Sequence, residues 1–322
     1  ERMPGAGMTT QAADRLPYAV QRAARNRAFA TTARVRAAWP YEPRFLPVDG
    51  GVMHYVDEGA PDAAPILAVH GNPTWAFYFR RVIAAFADTH RVVVPDHIGC
   101  GLSDKPQDWT YTLAAHVDNL ERLVLELDLT NITLVLHDWG GAIGMGFAAR
   151  HPKRIARLVI LNTAAFLSDR IPFRIAVCRT PILGRFAVQG LGAFSSAAVH
   201  MAVERPLSRE ARDGLLAPYR HAHDRIATWK FVEDIPMSPK HRSFRTLQEI
   251  GASLARFVDT PTCIVWGEKD WCFTPAFRSM WQARFPDAEV HPLETAGHYV
   301  MEDAPEDVTR HMQQFFAKHP VG

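Results

Sequence analysis

Leu134-Val135-Leu136-His137-Asp138-Trp139-Gly140-Gly141 runs from an apolar strand, through one acidic residue, straight into a helix opened by two glycines. A tight, strained strand-to-helix turn of this kind presents one side chain at the C-terminal edge of a sheet. The small residues after it let the helix start close beside the strand. The serine usual at such an elbow is absent, Asp138 stands in its place, and no Gly-x-Ser-x-Gly occurs elsewhere in the chain. A carboxylate there can attack a saturated carbon and form an alkyl ester. Asp is equally a common helix N-cap, and this segment alone does not choose between the two readings.

Outward from the elbow, short apolar runs alternate with helical patterns. Arg44–Val48 and Val52–Val56 flank the turn signal Asp49-Gly50-Gly51. Strands are expected at Pro65–His70, Arg91–Pro95, Ile132–His137, Arg157–Asn162, Cys263–Trp266 and Glu289–Leu293. Helices are expected at Thr112–Leu129, Gly140–Arg150, Pro275–Arg284 and Pro305–Phe316, with apolar residues at helical spacing. This alternation predicts an α/β fold: a mostly parallel sheet, flanked by helices, with an antiparallel hairpin at one edge. Between Phe166 and Pro239 the rhythm breaks into helical patterns (Ser208–Tyr219, Arg225–Val232) without a convincing strand. That stretch reads as a helical cap inserted after the sixth strand. The expected division is an extension over residues 1–40, a core over 41–165 and 240–322, and a cap over 166–239.

Two further segments favour the nucleophile reading of Asp138. Ala296-Gly297-His298-Tyr299 follows the last strand, where a histidine could reach the elbow. Val265-Trp266-Gly267-Glu268-Lys269-Asp270 places an acid after the preceding strand; Glu268 competes for that role, and Asp270 is preferred. The chain order nucleophile, acid, histidine is that of the α/β-hydrolase fold. The segment His70-Gly71-Asn72-Pro73-Thr74-Trp75 ends a strand where an anion-holding loop belongs. The Asn72 amide and the Trp139 N–H groups offer donors without positive charge, suited to a halide or a departing carboxylate. As an alternative, Trp139 is a core aromatic.

His70–Trp75, Asp96-His-Ile-Gly-Cys-Gly-Leu-Ser-Asp-Lys-Pro106, His137–Gly141, Trp266–Asp270 and Gly297-His298 together resemble the haloalkane dehalogenases, a family of α/β-hydrolases, from about Tyr41 to the C-terminus. The resemblance implies an eight-stranded sheet, Asp138 as nucleophile, His298 as base, and Asn72 with Trp139 as the leaving-anion site. Leu161-Asn162-Thr163-Ala164 lacks the carboxylate that one branch carries after strand six, so the acid should be Asp270, as in the third subfamily. Asp96–Pro106, Leu161–Phe166, Gly192–Ser196 and Phe231–Pro236 are similar to the bacterial β-lactone decarboxylases of long-chain olefin biosynthesis. That narrower resemblance implies opening of a cis-dialkyl β-lactone to an alkene and CO2, with hydrolytic dehalogenation as the alternative. An epoxide hydrolase ranks third, because only Tyr219 stands in the cap to protonate an opening oxygen. A non-catalytic binder ranks last, because every member of the catalytic set is present.

The pocket is expected to be walled by Phe166, Phe173, Phe194, Phe273 and Tyr299. Apolar residues crowd the first half of the cap, either as a tunnel for alkyl chains or as the underside any lid must pack.

The chain has 322 residues, 48% of them hydrophobic and 22% charged, and a net charge of +2, which excludes a nucleic-acid-binding surface spread over the whole chain. Cys100, Cys178, Cys263 and Cys272 form no metal-ligand spacing and fit a reducing compartment. No metal, nucleotide or other cofactor is expected, and no apolar run approaches the ~18 residues of a membrane span. Residues 1–40 carry seven arginines against Glu1 and Asp14, leaving the rest of the chain slightly acidic. Glu1–Gly7 read as upstream or vector-derived sequence before a start at Met8. The arginines fit a solvated helix packed on the body, a transit-peptide-like leader, or a basic surface. Expected partners are a small hydrophobic substrate, a multi-enzyme assembly or an anionic membrane reached through residues 15–36, and a second copy in a homodimer. The expected location is the cytoplasm.

Overall fold

A computed structural model describes residues 16–168 and 183–321. Phe173, named above as a pocket residue, and Cys178 lie outside them. Eight strands form one sheet: β1 (Arg44–Val48), β2 (Gly51–Glu58), β3 (Pro65–Val69), β4 (Arg91–Pro95), β5 (Ile132–Asp138), β6 (Ile155–Thr163), β7 (Thr262–Gly267) and β8 (Glu289–Leu293). Their order is β1-β2-β4-β3-β5-β6-β7-β8. The hairpin β1–β2 joins β4 antiparallel, and every other pairing is parallel. β2 runs beyond the expected Val56 because Asp57 and Glu58 continue the ladder opposite Val93 and Val92.

Alternate residues of the central strands face opposite layers, as a two-residue period requires. Leu134, Leu136, Leu158, Ile160, Ile264 and Trp266 pack with Val117, Leu120, Ile143 and Phe147. The last four belong to α3 (Leu113–Glu126) and α4 (Trp139–Arg150). On the other face Val135, Val159, Leu161 and Val265 meet Val82, Ile83 and Phe86 of α2 (Arg80–Phe86), with Val308, Met312 and Phe315 of the helix Pro305–Lys318. α3 is shorter than its periodicity: Thr112 caps its start, accepting from the Ala115 N–H, and Asp128 leaves helical geometry at φ 44°.

The helix α1 (Tyr18–Thr32) docks on the body through Ala24, Ala28 and Thr32. Arg25 pairs with Glu42 at 2.7 Å and Arg27 with Asp104 at 3.0 Å, so part of the basic charge of the extension is spent on attachment. Trp39 is fully buried and packs against Trp75 and Phe77, with ring centroids 5.0 and 5.8 Å away.

After β6 come the helices Ala193–Met201, Arg209–Leu216 and Ile226–Glu233. The second ends sooner than expected because Pro218 has no N–H with which to continue the helical hydrogen bonds. These helices are tied over the sheet's C-terminal edge. Trp75 Nε1 donates to the Gly214 carbonyl at 3.0 Å, Asn72 Nδ2 to the Thr228 carbonyl at 3.1 Å, and the Tyr299 N–H to the Ala202 carbonyl at 2.7 Å. No described helix is long and apolar enough to cross a membrane.

Candidate active site

Asp138 ends β5 at φ 52° and ψ −127°, a strained conformation for a residue with a side chain. Close approach makes the turn possible: a Cβ at Gly140 would run into the Val69 carbonyl oxygen, and one at Gly71 into the Asp138 carboxylate. Asp138 stands at the N-cap position of α4 but makes no capping hydrogen bond there. Instead its Oδ1 accepts from the Asn72 backbone N–H at 2.6 Å, and the Trp139 backbone N–H also bonds the carboxylate. These donors sit where a serine hydrolase would hold its oxyanion, so an anion leaving a substrate must use side-chain donors. Oδ2 faces His298, 3.7 Å from Nε2.

His298 Nδ1 donates to Asp270 Oδ2 at 2.8 Å, which directs the other nitrogen toward Asp138. Asp270 is buried, and its Oδ1 accepts from the N–H groups of Cys272 (2.6 Å) and Phe273 (3.0 Å). Glu268, the competing acid, instead pairs with Arg278 at 2.5 Å. The loop of His298 is pinned by Asp303, which accepts from Gly297 N–H at 2.8 Å and from the Glu204 N–H in the cap at 3.0 Å.

Sequence reasoning passed over Asn162 except to note that it is no carboxylate. Its Nδ2 donates to Asp270 Oδ2 at 3.0 Å and to the Gly267 carbonyl at 3.0 Å, and its Oδ1 accepts from the Gly267 N–H at 2.8 Å. An amide at the end of β6 therefore orients the acid at the end of β7. Asn162 is the residue skipped where β6 shifts register against β5 beside the elbow, at φ 32°.

Burial pushes the Asp138 carboxyl above the usual carboxylate range; His298 and the backbone donors pull it back only in part. Burial alone would lower the His298 imidazole, but the charge and hydrogen bond of Asp270, with Asp138 beside it, carry it above the ordinary histidine value. Deeper in the body the reverse holds. His70, His97, His116 and His137 are fully enclosed and pushed down by burial, His116 to about 3. His70 Nε2 lies 3.9 Å from Asp96, whose carboxylate takes His54 Nδ1 at 2.8 Å and the N–H groups of Ala76 and Leu102, both at 2.7 Å. That set joins the loop carrying Asn72 to the loop after β4.

A cavity of about 550 Å³ opens onto Asp138, within the range of small-molecule sites. Asn72, Trp139, His298, Phe166, Phe194, Phe273 and Tyr299 all line it. Asn72 donates one amide N–H to Thr228, leaving the other free. The Trp139 indole N–H has no partner among the described residues. Ala193, Ala197 and Met201 on one helix and Ala202 just after it, with Leu247 and Phe277, complete an overwhelmingly apolar wall. Tyr219 is not part of it: its hydroxyl donates to the Thr74 carbonyl at 3.0 Å and accepts from the Gly101 N–H at 3.3 Å. No cluster suited to a metal ion occurs among the described residues.

A family model of the alpha/beta hydrolase fold matches residues 64–177. A haloalkane dehalogenase of Mycobacterium tuberculosis is 31% identical over 277 residues, covering 84% of this chain and 93% of its own. The chain belongs to the haloalkane dehalogenase family of α/β-hydrolases. The crystal structure of a member from Bradyrhizobium elkani superposes with a TM-score of 0.78 at 27% identity, covering 86% of this chain and 97% of that one. A cis-3-alkyl-4-alkyloxetan-2-one decarboxylase of Shewanella oneidensis is 46% identical over 286 residues, 87% of this chain and 89% of its own.

Proposed function

We propose that this enzyme is a β-lactone decarboxylase that converts a cis-3,4-dialkyl oxetan-2-one to an alkene and CO2. The observation that carries the reading is the buried carboxylate at the elbow, facing an apolar cavity, in a chain 46% identical to a relative bearing that activity's name. Asp138 Oδ2 attacks the saturated ring carbon that bears the ring oxygen. That C–O bond breaks, and its electron pair stays on the new substrate carboxylate. The Asn72 amide and the Trp139 indole N–H receive this anion, since the Asn72 backbone N–H is taken by Asp138 Oδ1. The bond from the neighbouring carbon to the carboxylate then breaks; its electrons form the alkene, CO2 departs, and the ester C–O bond returns its pair to Asp138. No water, proton or cofactor is consumed. His298, oriented by Asp270, places positive charge beside the nucleophile and supports its ionised form.

The site chemistry also supports haloalkane hydrolysis, in which His298 would activate water against the ester. The higher identity to the decarboxylase favours the first reading. Committed hydrogen bonds at Tyr219 argue against an epoxide hydrolase. The deciding experiment offers purified enzyme a cis-dialkyl β-lactone and a 1-bromoalkane in parallel. Alkene without bromide is the expected result, and bromide without alkene would replace the proposal with dehalogenation.

A further inference from the structure

His137 precedes Asp138 on β5 and is fully buried. Its Nε2 lies 2.9 Å from the main-chain carbonyl oxygen of His298. A carbonyl only accepts, so the ring is the Nε2–H tautomer and donates this hydrogen bond; its Nδ1 has no partner among the described residues. The ring lies 4.7 Å from that of His298 and stacks at 4.4 Å on Tyr78. The Tyr78 hydroxyl in turn accepts from the Met301 N–H at 3.3 Å. The loop around His298 is therefore gripped by β5 and its neighbours as well as by Asp303 and the cap.

We propose that His137 is a positioning residue: by donating Nε2–H to the His298 carbonyl, it sets the distance between the His298 imidazole and the Asp138 carboxylate. The inference rests on the roles proposed above for Asp138 and His298. One strand thus carries the nucleophile and, in the preceding residue, the tether of the loop opposite. Neutrality is part of the device. Burial and the nearby His298 hold the His137 ring well below the ordinary histidine range, so it places no second positive charge beside His298. Were His137 only a space-filler in the core, a phenyl ring stacked on Tyr78 would replace it without kinetic effect.

The test compares full-length wild type, His137→Phe and His137→Gln. Phe keeps the ring and loses the donor, and Gln carries an amide N–H at similar reach. Alkene release from a cis-dialkyl β-lactone is followed from mildly acidic to mildly basic pH, with melting curves in parallel. Asp138 is faced by His298, by the N–H groups of Asn72 and Trp139, and at greater distance by Asp270. A His298 drawn away from it would no longer hold its carboxyl down. His137→Phe should lower kcat on the order of 100-fold with KM little changed, and move the acid limb of kcat to higher pH. His137→Gln should recover most of the rate and the original limb. If the Phe variant lacks a melting transition, His137→Met makes the same comparison with a more adaptable side chain. A folded donor-free variant with wild-type kcat and limb overturns the inference, as does a Gln variant as slow as Phe. Wild-type enzyme that yields neither alkene nor an Asp138 adduct overturns the proposed function, and this role with it.

Discussion

Asp138 holds its side chain at a backbone angle that most residues avoid, and its two oxygens have different partners. Oδ1 is held by the Asn72 main-chain N–H, whereas Oδ2 faces His298. Asp138→Asn should therefore keep the fold and lose turnover by on the order of a million-fold, measured as alkene formed against a matched melting curve. Because burial raises the Asp138 carboxyl, activity should rise with pH through a single ionisation above the ordinary carboxylate range and fall below it. A pH profile of kcat with its acid limb at the free-aspartate value would contradict that. Asn72→Ala should slow the reaction by roughly 100- to 1,000-fold, the usual effect of removing one anion-holding donor. The measurement is kcat under saturating β-lactone, and an unchanged kcat would take Asn72 out of the anion site.

At the scale of elements, the site is built from strand ends: β5 brings Asp138, β6 Asn162 and β7 Asp270, with His298 after β8. Asn162→Ala should reduce kcat by roughly 10- to 100-fold, the equivalent of one hydrogen bond to a charged group. Restoration by Asn162→Gln would show that the amide, rather than mere volume, is needed. In the cap, Ala193, Ala197 and Met201 fall four residues apart on the helical face that lines the cavity. Ala197→Phe should shorten the alkyl chains accepted while sparing short substrates, read as kcat/KM across a chain-length series. The strands were legible because each is a short apolar run bounded by turn residues, and Asp138, Asp270 and His298 because each follows such a run. Asn162 and His137 were not, because their functions are hydrogen bonds across 105 and 161 residues of chain that no local pattern records. Helix ends were misjudged where a single residue, such as Pro218 or Asp128, overrides the periodicity.

For the molecule as a whole, the extension and the body are less separate than charge alone implies. Trp39 lies at the end of the basic segment yet is among the most buried side chains, against Trp75 and Phe77 beside the loop that carries Asn72. Trp39→Ala should destabilise the protein by about 3–5 kcal/mol in urea unfolding, the usual loss for a buried large aromatic. A change well under 1 kcal/mol would mean that the extension merely leans on the body. The enclosed histidines have a different consequence. Burial makes His70, His97, His116 and His137 harder to protonate inside the fold than in the unfolded chain. As pH falls through the ordinary histidine range the unfolded chain takes up protons that these enclosed rings resist, so stability falls with pH there. Mild acid therefore weakens the fold as well as the chemistry, and loss of activity there has two sources. Titration of Asp138 follows a one-proton curve and reverses at once, whereas acid unfolding is steep and returns only as fast as the chain refolds.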